Sequence, residues 1–285
     1  MKKLLYPTLY IFIFTACESK KTTTPIEPTP ILKGFIIEGI TPNSTVKTNY
    51  SIVYTNEKVS TIQKIDSIKQ DGVLKLYLNN NVITDGLPNT YSVISDFTSS
   101  IGGGPQTNKI EYSGKKVTNG YEIIVPFNSS LISYALIELN ADNQMVKYSD
   151  TKIVSTDNNG VKKETLRNSY LRYEYDTKGN VVKIFQKLDG STVEVLMTEY
   201  TYDSNPNVYK PLLWLFRLTG FGSTISESNN NVIFSKNYQQ GVLFTESTGI
   251  YTYDLSSKYP LTLTTSGKSY SPNTIVGTSK TTYKY

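Results

Sequence analysis

Residues 173–184 of the chain read Tyr-Glu-Tyr-Asp-Thr-Lys-Gly-Asn-Val-Val-Lys-Ile. Tyr173 and Tyr175 are two residues apart, so their side chains point to the same face of a β-strand. Asp176 follows where that strand would end, and its side chain can accept hydrogen bonds from nearby backbone amides and start a turn. Gly179 supplies the backbone freedom that a chain reversal needs. The stretch therefore predicts a β-hairpin.

The same unit recurs further along the chain. Residues 200–203 and residues 251–254 both read Tyr-Thr-Tyr-Asp, and residues 283–285 read Tyr-Lys-Tyr, a half-copy without the aspartate. Because a lone hairpin is marginally stable in water, the copies must pack side by side. The sequence predicts an all-β fold, an antiparallel meander of Tyr-x-Tyr-Asp hairpins. The residues with predicted structural roles in its turns are Asp176, Gly179, Asn180, Asp203 and Asp254.

Upstream of the repeats, residues 33–160 carry short strand-like runs separated by turn residues, so a β-rich N-terminal region precedes a β-domain at residues 161–285. The segments 50–62 and 137–147 resemble degenerate hairpins of the same design. Residues 33–160 either continue one sheet or form a separate domain. The windows 130–138 and 211–218 are the main helical candidates, although their β-branched and aromatic residues also allow strands or single turns.

The Tyr-x-Tyr-Asp phrasing, with Gly-Asn-Val after its first copy, resembles the tyrosine-aspartate (YD) repeats of bacterial secreted proteins. Residues 165–285 look like the uncharacterised repeat domain of Bacteroidetes lipoproteins labelled DUF4595. The shared order is a Tyr-Asp hairpin, a second one followed by Asn-Pro-Asn, an apolar insert, Ser-Asn-Asn-Asn-Val at 228–232, and a closing Tyr-Asp hairpin. The resemblance implies a fold and supplies no catalytic residues.

The beginning of the chain predicts a lipoprotein. Residues 1–16 combine a basic start, a short apolar stretch and small residues, which are the parts of a secretory signal peptide. Cys17, the one cysteine of the chain, follows at the expected cut site and is the predicted lipidation site. Residues 17–32 are rich in threonine and proline and read as an extended tether. In Bacteroidetes-type lipoproteins surface export tends to follow acidic residues after the cysteine; here lysines follow Glu18 and Ser19, which favours the outer membrane's periplasmic face.

Composition excludes several function classes. The chain has no histidine, and lipidation of Cys17 would leave the folded part without a thiol. Zinc and copper sites and histidine-based catalysis are therefore not expected, and no cofactor is predicted. The basic residues are scattered rather than concentrated, so nucleic acid is not an expected partner. Catalysis would have to depend on carboxylates, lysine or tyrosine.

The most apolar part of the mature chain is Pro-Leu-Leu-Trp-Leu-Phe-Arg-Leu at 211–218. It is either a plug packed against the sheet or an exposed surface around Trp214 and Phe216 for a ligand or partner. Together with Tyr173 and Tyr175, these two residues form the candidate binding surface. The favoured function is a membrane-anchored binding or scaffold module for an envelope protein; the alternatives are a glycan-binding lipoprotein and a carboxylate-based hydrolase.

Overall fold

The fold is taken from a computed structural model of the whole chain. The residues it describes are 31–41, 44–55, 58–70, 73–85, 90–99, 106–128, 130–213, 217, 226–256, 258–270 and 276–285. The predictions for Cys17, Trp214 and Phe216 lie outside these residues.

The described residues form seventeen β-strands and one 3₁₀ turn, at Lys210–Leu212. The strands are β1 (Gly34–Thr41), β2 (Ser44–Thr55), β3 (Lys58–Gln70), β4 (Val73–Asp85), β5 (Thr90–Ser99), β6 (Gln106–Val117), β7 (Gly120–Asn128), β8 (Leu131–Leu139), β9 (Met145–Thr156), β10 (Lys162–Leu166), β11 (Tyr170–Tyr175), β12 (Val181–Lys187), β13 (Val195–Pro206), β14 (Asn230–Gln239), β15 (Val242–Tyr253), β16 (Pro260–Ser269) and β17 (Val276–Lys284). They pair in one antiparallel sheet, mostly with their neighbours in sequence. The predicted all-β meander is confirmed.

The sheet closes on itself because its first strand pairs with its last. β1 pairs with β2 on one side, and on the other side it pairs with β17 over seven residues, from Gly34↔Lys284 to Ile40↔Thr278. The strand is interrupted between β10 and β11, but this does not open the ring. Both strands pair antiparallel with the same edge of β9, β10 beside residues 152–156 and β11 beside residues 147–149. Both edges of the meander are thus used up in pairing with each other.

Strand pairing crosses the predicted boundary at residue 160. β9 lies before the boundary and pairs with β10 and β11 after it, and β1 pairs with β17 from the far end of the chain. Residues 33–160 and 161–285 therefore contribute strands to one sheet. Of the two helical candidates, residues 131–138 lie in β8. The described part of the second window begins within the 3₁₀ turn at 210–212.

The two faces of the ring differ in chemistry. The interior face carries the buried hydrophobic side chains, as in β8, where Ser133, Ala135 and Ile137 are buried and alternate with partly exposed residues. The exterior face carries cross-strand ion pairs, with Glu38 against Lys47 at 2.9 Å as an example. Further exterior pairs are Glu138–Lys147, Lys152–Glu164, Arg172–Glu194, Lys183–Glu199 and Lys236–Glu246.

Among the residues whose side chains the structure describes, most of the buried core lies at one end of the ring, which we call the insert end. There β1 begins and β17 ends, and residues 207–229, the insert, connect β13 to β14. Val208 and Leu212 of the insert are 3% and 2% exposed and belong to the hydrophobic core. Towards the other end, the interior face of β15 and β16 carries small residues, as in the pair Gly249↔Thr265.

Within the described part of the chain, a tyrosine hydroxyl joins neighbouring strands at four places on the insert end. In each, the hydroxyl donates to a backbone carbonyl oxygen at the start of a neighbouring strand or up to two residues before it. Three of the tyrosines lie at or next to a strand end, whereas Tyr202 lies within β13. We call these hydrogen bonds the tyrosine clasps. They are Tyr54 to Leu32 (2.8 Å), Tyr175 to Met145 (2.9 Å), Tyr202 to Val181 (2.5 Å) and Tyr285 to Pro260 (2.9 Å).

The clasps explain why the repeat has two tyrosines that are two residues apart. In the first and last Tyr-x-Tyr copies the first ring fills the interior, as Tyr173 and Tyr283 do at 4% and 5% exposure, and the second tyrosine supplies the clasp. In the copy at 251–253 the second hydroxyl, that of Tyr253, donates to a carboxylate instead. Burial raises the pKa of Tyr202 and Tyr285 well above the usual tyrosine value, so both hydroxyls keep the proton that they donate. Tyr54 makes the same bond in the N-terminal region, where the sequence shows only a degenerate hairpin.

We predict that Tyr202→Phe destabilises the protein by about 1–3 kcal/mol, because the buried Val181 carbonyl loses its donor while the ring is kept. Urea unfolding of the wild type and the variant measures this loss. Tyr270→Phe is the matched control, since the Tyr270 hydroxyl donates to Glu246 on the exposed exterior face. A loss for Tyr202→Phe no larger than for the control would contradict the structural role of the clasp.

Candidate functional site

The turn between β11 and β12 is built around the Asp176 carboxylate. Its Oδ1 accepts hydrogen bonds from the backbone amides of Lys178 at 2.9 Å and Asn180 at 2.8 Å. Burial alone would raise the pKa of this carboxyl, but the bonds from Asn180 and Lys178 outweigh it and hold the pKa below its usual value. Gly179 has φ +80°, and a Cβ there would lie 2.5 Å from the Asn229 side chain, so glycine is required.

Asn180 joins this turn to the returning end of the insert. Its side chain is 1% exposed, and its Oδ1 accepts from the backbone amides of Asn229 at 3.0 Å and Asn230 at 2.8 Å. Its Nδ2 donates to Asp176 Oδ2 and to Asn230 Oδ1. All four hydrogen-bonding sites of the amide are thereby used. The Ser-Asn-Asn-Asn run at 228–231 is thus held by the first Tyr-Asp turn.

The second and third aspartates of the repeat also accept hydrogen bonds from backbone amides. The sequence predicts a turn at both, but Asp203 lies within β13, which continues to Pro206, whereas Asp254 directly follows β15. Asp203 Oδ1 accepts from Asn205 at 3.0 Å and from Asn231 at 3.2 Å, and its Oδ2 accepts from the Tyr253 hydroxyl. Asp254 Oδ1 accepts from the backbone amide and the hydroxyl of Ser256. Asp203 therefore connects three segments, whereas these two bonds of Asp254 lie within its own turn.

Tyr209 of the insert packs between the first and last strands. Its ring meets Phe35 of β1 edge-on at 5.4 Å between centroids, and its hydroxyl lies 3.2 Å from that of Tyr283 on β17. Phe35 also stacks on Tyr50 of β2 at 4.2 Å. Edge-on and offset aromatic pairs each contribute about 0.5–1.5 kcal/mol beyond their buried area. The insert thus packs into the interior beside the pairing of β1 with β17.

A buried ion pair lies beside this aromatic core. Arg217 and Glu227, both in the insert, are each 1% exposed, and the guanidinium binds the carboxylate through Nε and, at 2.7 Å, through Nη2. Arg217 Nη2 also donates to the Asn143 carbonyl oxygen at 2.9 Å, which links the insert to the β8–β9 turn. The Tyr175 hydroxyl and the Met145 amide approach the same carboxylate at 3.5 and 3.4 Å.

Lys210 adds a second positive charge to the pair. Its Nζ donates to the backbone carbonyl oxygen of Glu227 at 2.6 Å. Burial, followed by the nearby Arg217 charge, lowers the pKa of Lys210, although the Glu227 carboxylate acts in the opposite direction. The ammonium group is therefore partly removed from water beside a carboxylate that Arg217 already neutralises.

These residues form the floor of a cavity of about 550 Å³ at the insert end. Its walls come from the β8–β9 turn, the β11–β12 turn and the insert. The lining residues are Asp142, Asn143, Gln144, Asp176, Thr177, Lys178, Gly179, Lys210, Leu213, Arg217, Glu227 and Asn229. Amide and charged side chains dominate this lining, so the cavity suits a polar ligand.

Comparison with known proteins finds likenesses among solved structures, including two porin-like proteins, while no family model and no curated protein matches the chain. A porin-like protein from Bacteroides uniformis ATCC 8492 shares 12% identity over 90% of this chain and 97% of that one, with a TM-score of 0.49. A porin-like protein from Bacteroides vulgatus ATCC 8482 shares 8% identity over 90% and 98%, with a TM-score of 0.39. At these values the likeness carries no argument about function, and the resemblance to YD repeats and DUF4595 stays a prediction.

The structure separates the sequence-predicted site residues into two groups. Tyr173 and Tyr175 face the interior, where one is 4% exposed and the other forms a clasp, so neither contributes an exposed binding surface. Asp176, Gly179 and Asn180 lie together at the cavity or directly behind it.

Sequence reasoning missed the charged floor of the cavity. Arg217, Glu227 and Lys210 carry no recognisable motif, because their chain positions say nothing about the contacts that the insert makes after folding back onto the ring. The one available signal was the presence of charged residues around an otherwise apolar insert. Such charges must be paired or hydrated.

Neither a metal centre nor a spanning helix is found in the part of the chain that the structure describes. Among those residues, no group of three or more Asp, Glu, His or Cys side chains is placed to hold a metal ion. Within the same residues, no helix has the length and apolar character that a membrane crossing requires.

We predict that Glu227→Gln destabilises the protein by about 3–5 kcal/mol, because the change leaves the buried Arg217 charge without its counter-ion. Chemical denaturation measures the loss. Glu38→Gln is the matched control, since it removes one carboxylate from an exposed pair worth about 0–1 kcal/mol. Equal losses in the two variants would show that the Arg217–Glu227 pair does not hold the insert in place.

Proposed function

We propose that this protein is a lipid-anchored module of the cell envelope that binds or organises a partner. The observation that carries the proposal is the position of the folded body relative to the predicted anchor. The ring begins at Gly34, directly after the proline-rich tether, and Leu32 is buried at the insert end, where Tyr54 donates to its carbonyl oxygen. The body is therefore fastened where the tether from Cys17 would reach it.

The ion pairs on the exterior face support the part of the proposal in which the folded body is surrounded by water and not by lipid. Ion pairs such as Glu38–Lys47 and Lys183–Glu199 lie on the outward side of the strands, and their side chains are roughly one third to one half exposed. Placing such charges against hydrocarbon would be costly. In this proposal the acyl chains on Cys17 make the membrane contact, with the periplasmic face favoured by the lysines after Glu18 and Ser19.

A binding role is favoured over catalysis by the way the cavity carboxylates are used. Glu227 is neutralised by Arg217, and Asp176 is engaged by its own turn amides. A carboxylate-based glycosidase needs one acid and one base or nucleophile facing the substrate across about 5–10 Å. Among the described residues three carboxylates line the cavity, and two of them are thus committed to structure, with Asp142 as the third.

Glycan binding is the second candidate. The cavity is lined by the amides of Asn143, Gln144 and Asn229, groups that hydrogen-bond to sugar hydroxyls. Leu213 lines the same cavity and immediately precedes Trp214 in the chain, so stacking of a sugar on Trp214 stays a prediction from the sequence.

We predict that Cys17→Ala moves the protein from the membrane fraction to the soluble fraction of fractionated cells, because the acyl chains that anchor it can no longer be attached. Metabolic labelling with a radioactive fatty acid should mark the wild type and not the variant. Thr23→Ala, in the tether, is the control and should leave the protein in the membrane fraction. Retention of the unlabelled Cys17→Ala protein in the membrane pellet would contradict the lipid anchor.

A further inference from the structure

We infer that the cavity at the insert end is a binding site for an oxyanion, a small molecule that presents a carboxylate, sulfate or phosphate group to Lys210. This deepens the proposed binding role by naming a ligand class, and it rests on that role for its setting in the envelope. The chemistry of the site depends on the folded body alone.

The charges of the cavity floor do not cancel. Arg217 and Glu227 form a buried pair whose charges cancel, with two guanidinium nitrogens on the two carboxylate oxygens. Lys210 binds the backbone carbonyl oxygen of Glu227, an acceptor that carries no formal charge. The three side chains together therefore carry one net positive charge in a half-buried position.

Keeping this net positive charge partly out of water costs free energy. Removing an ammonium group from water is unfavourable unless an opposite charge compensates it. The lowered pKa of Lys210 reflects the same penalty. An anion that enters the cavity would supply an opposite charge for Lys210. It would therefore bind more tightly than a neutral ligand of the same shape, which gains only neutral hydrogen bonds.

The rim of the cavity carries charges of both signs. Lys178 lies in the β11–β12 turn and adds a positive charge, while Asp142 and Asp176 add negative ones. Asp176 is held by the amides of Lys178 and Asn180 and by the Asn180 side chain. Asp142 is exposed to solvent in the β8–β9 turn, where water screens it. The partly desolvated charge that a ligand meets inside the cavity is thus that of Lys210.

The shared oxyanion chemistry can come from an acidic sugar or from a phosphate or sulfate group. Thermal unfolding of the mature lipidated protein in neutral detergent, titrated with galacturonate, galactose, phosphate or sulfate against chloride at matched ionic strength, distinguishes the sources. We expect a saturable rise in Tm with galacturonate, or with phosphate or sulfate, and none with galactose. Lys210→Gln should abolish the saturable part, and Lys183→Gln, which removes the same charge from the exterior, should keep it.

Non-specific stabilisation by sulfate and phosphate is expected in every variant and does not saturate. Equal saturable shifts in the wild type and Lys210→Gln, equal shifts with galactose and galacturonate, or no saturable shift with any of these anions would overturn the proposal. Failure here leaves the lipid anchor untouched, because the Cys17→Ala fractionation tests that separately.

A measurement on the wild type covers the case in which Lys210→Gln does not fold. Acetic anhydride labels accessible lysines, and mass spectrometry reads Lys210 and Lys183 in the same sample. At about ten times the Kd of the bound anion, labelling of Lys210 should fall roughly tenfold while that of Lys183 stays constant. Unchanged labelling of Lys210 with every anion would overturn the site.

Discussion

Pairing between the first strand and the last is the interaction on which the rest of the structure depends. Seven residue pairs join β1 to β17, and with them the meander becomes a ring without two free outer edges. Closure creates an interior that must be filled, because apolar side chains alternate onto that face of each strand. Tyr209 of the insert fills it beside the closing pair, against Phe35 and Tyr283.

At the insert end, side chains form hydrogen bonds with backbone carbonyl and amide groups. The tyrosine clasps bind carbonyl oxygens where strands begin, and Asn180 binds the amides of the returning insert. Buried polar networks stabilise a single arrangement when their members are satisfied, as those of Asn180 are. The Arg217–Glu227 pair depends on this frame, because Arg217 also binds the Asn143 carbonyl of the β8–β9 turn. Because the charges of Arg217 and Glu227 cancel and Lys210 binds a backbone carbonyl oxygen, Lys210 gives these three side chains one net positive charge.

Local spacing made part of this predictable from the sequence. Period two in Tyr173 and Tyr175 predicts that both rings share a face, and the structure places both inside. Ring closure was not predictable, since the repeat does not encode which strand β1 meets. The cavity floor was equally hidden, because Arg217 and Glu227 meet only after the insert folds back. The window 130–138 was ambiguous because its apolar residues fit both a helix and the strand β8.

Hydrogen exchange followed by mass spectrometry tests ring closure most directly. Amides in β1 and β17 exchange slowly if each strand is paired on both sides, as those of β14 and β15 are. β10 gives an internal comparison, because its five residues are exposed and its described pairing is with β9. Ring closure predicts that the amides of residues 34–41 and 276–284 exchange as slowly as those of β14 and β15. Exchange in either segment as fast as in β10 would contradict a closed sheet.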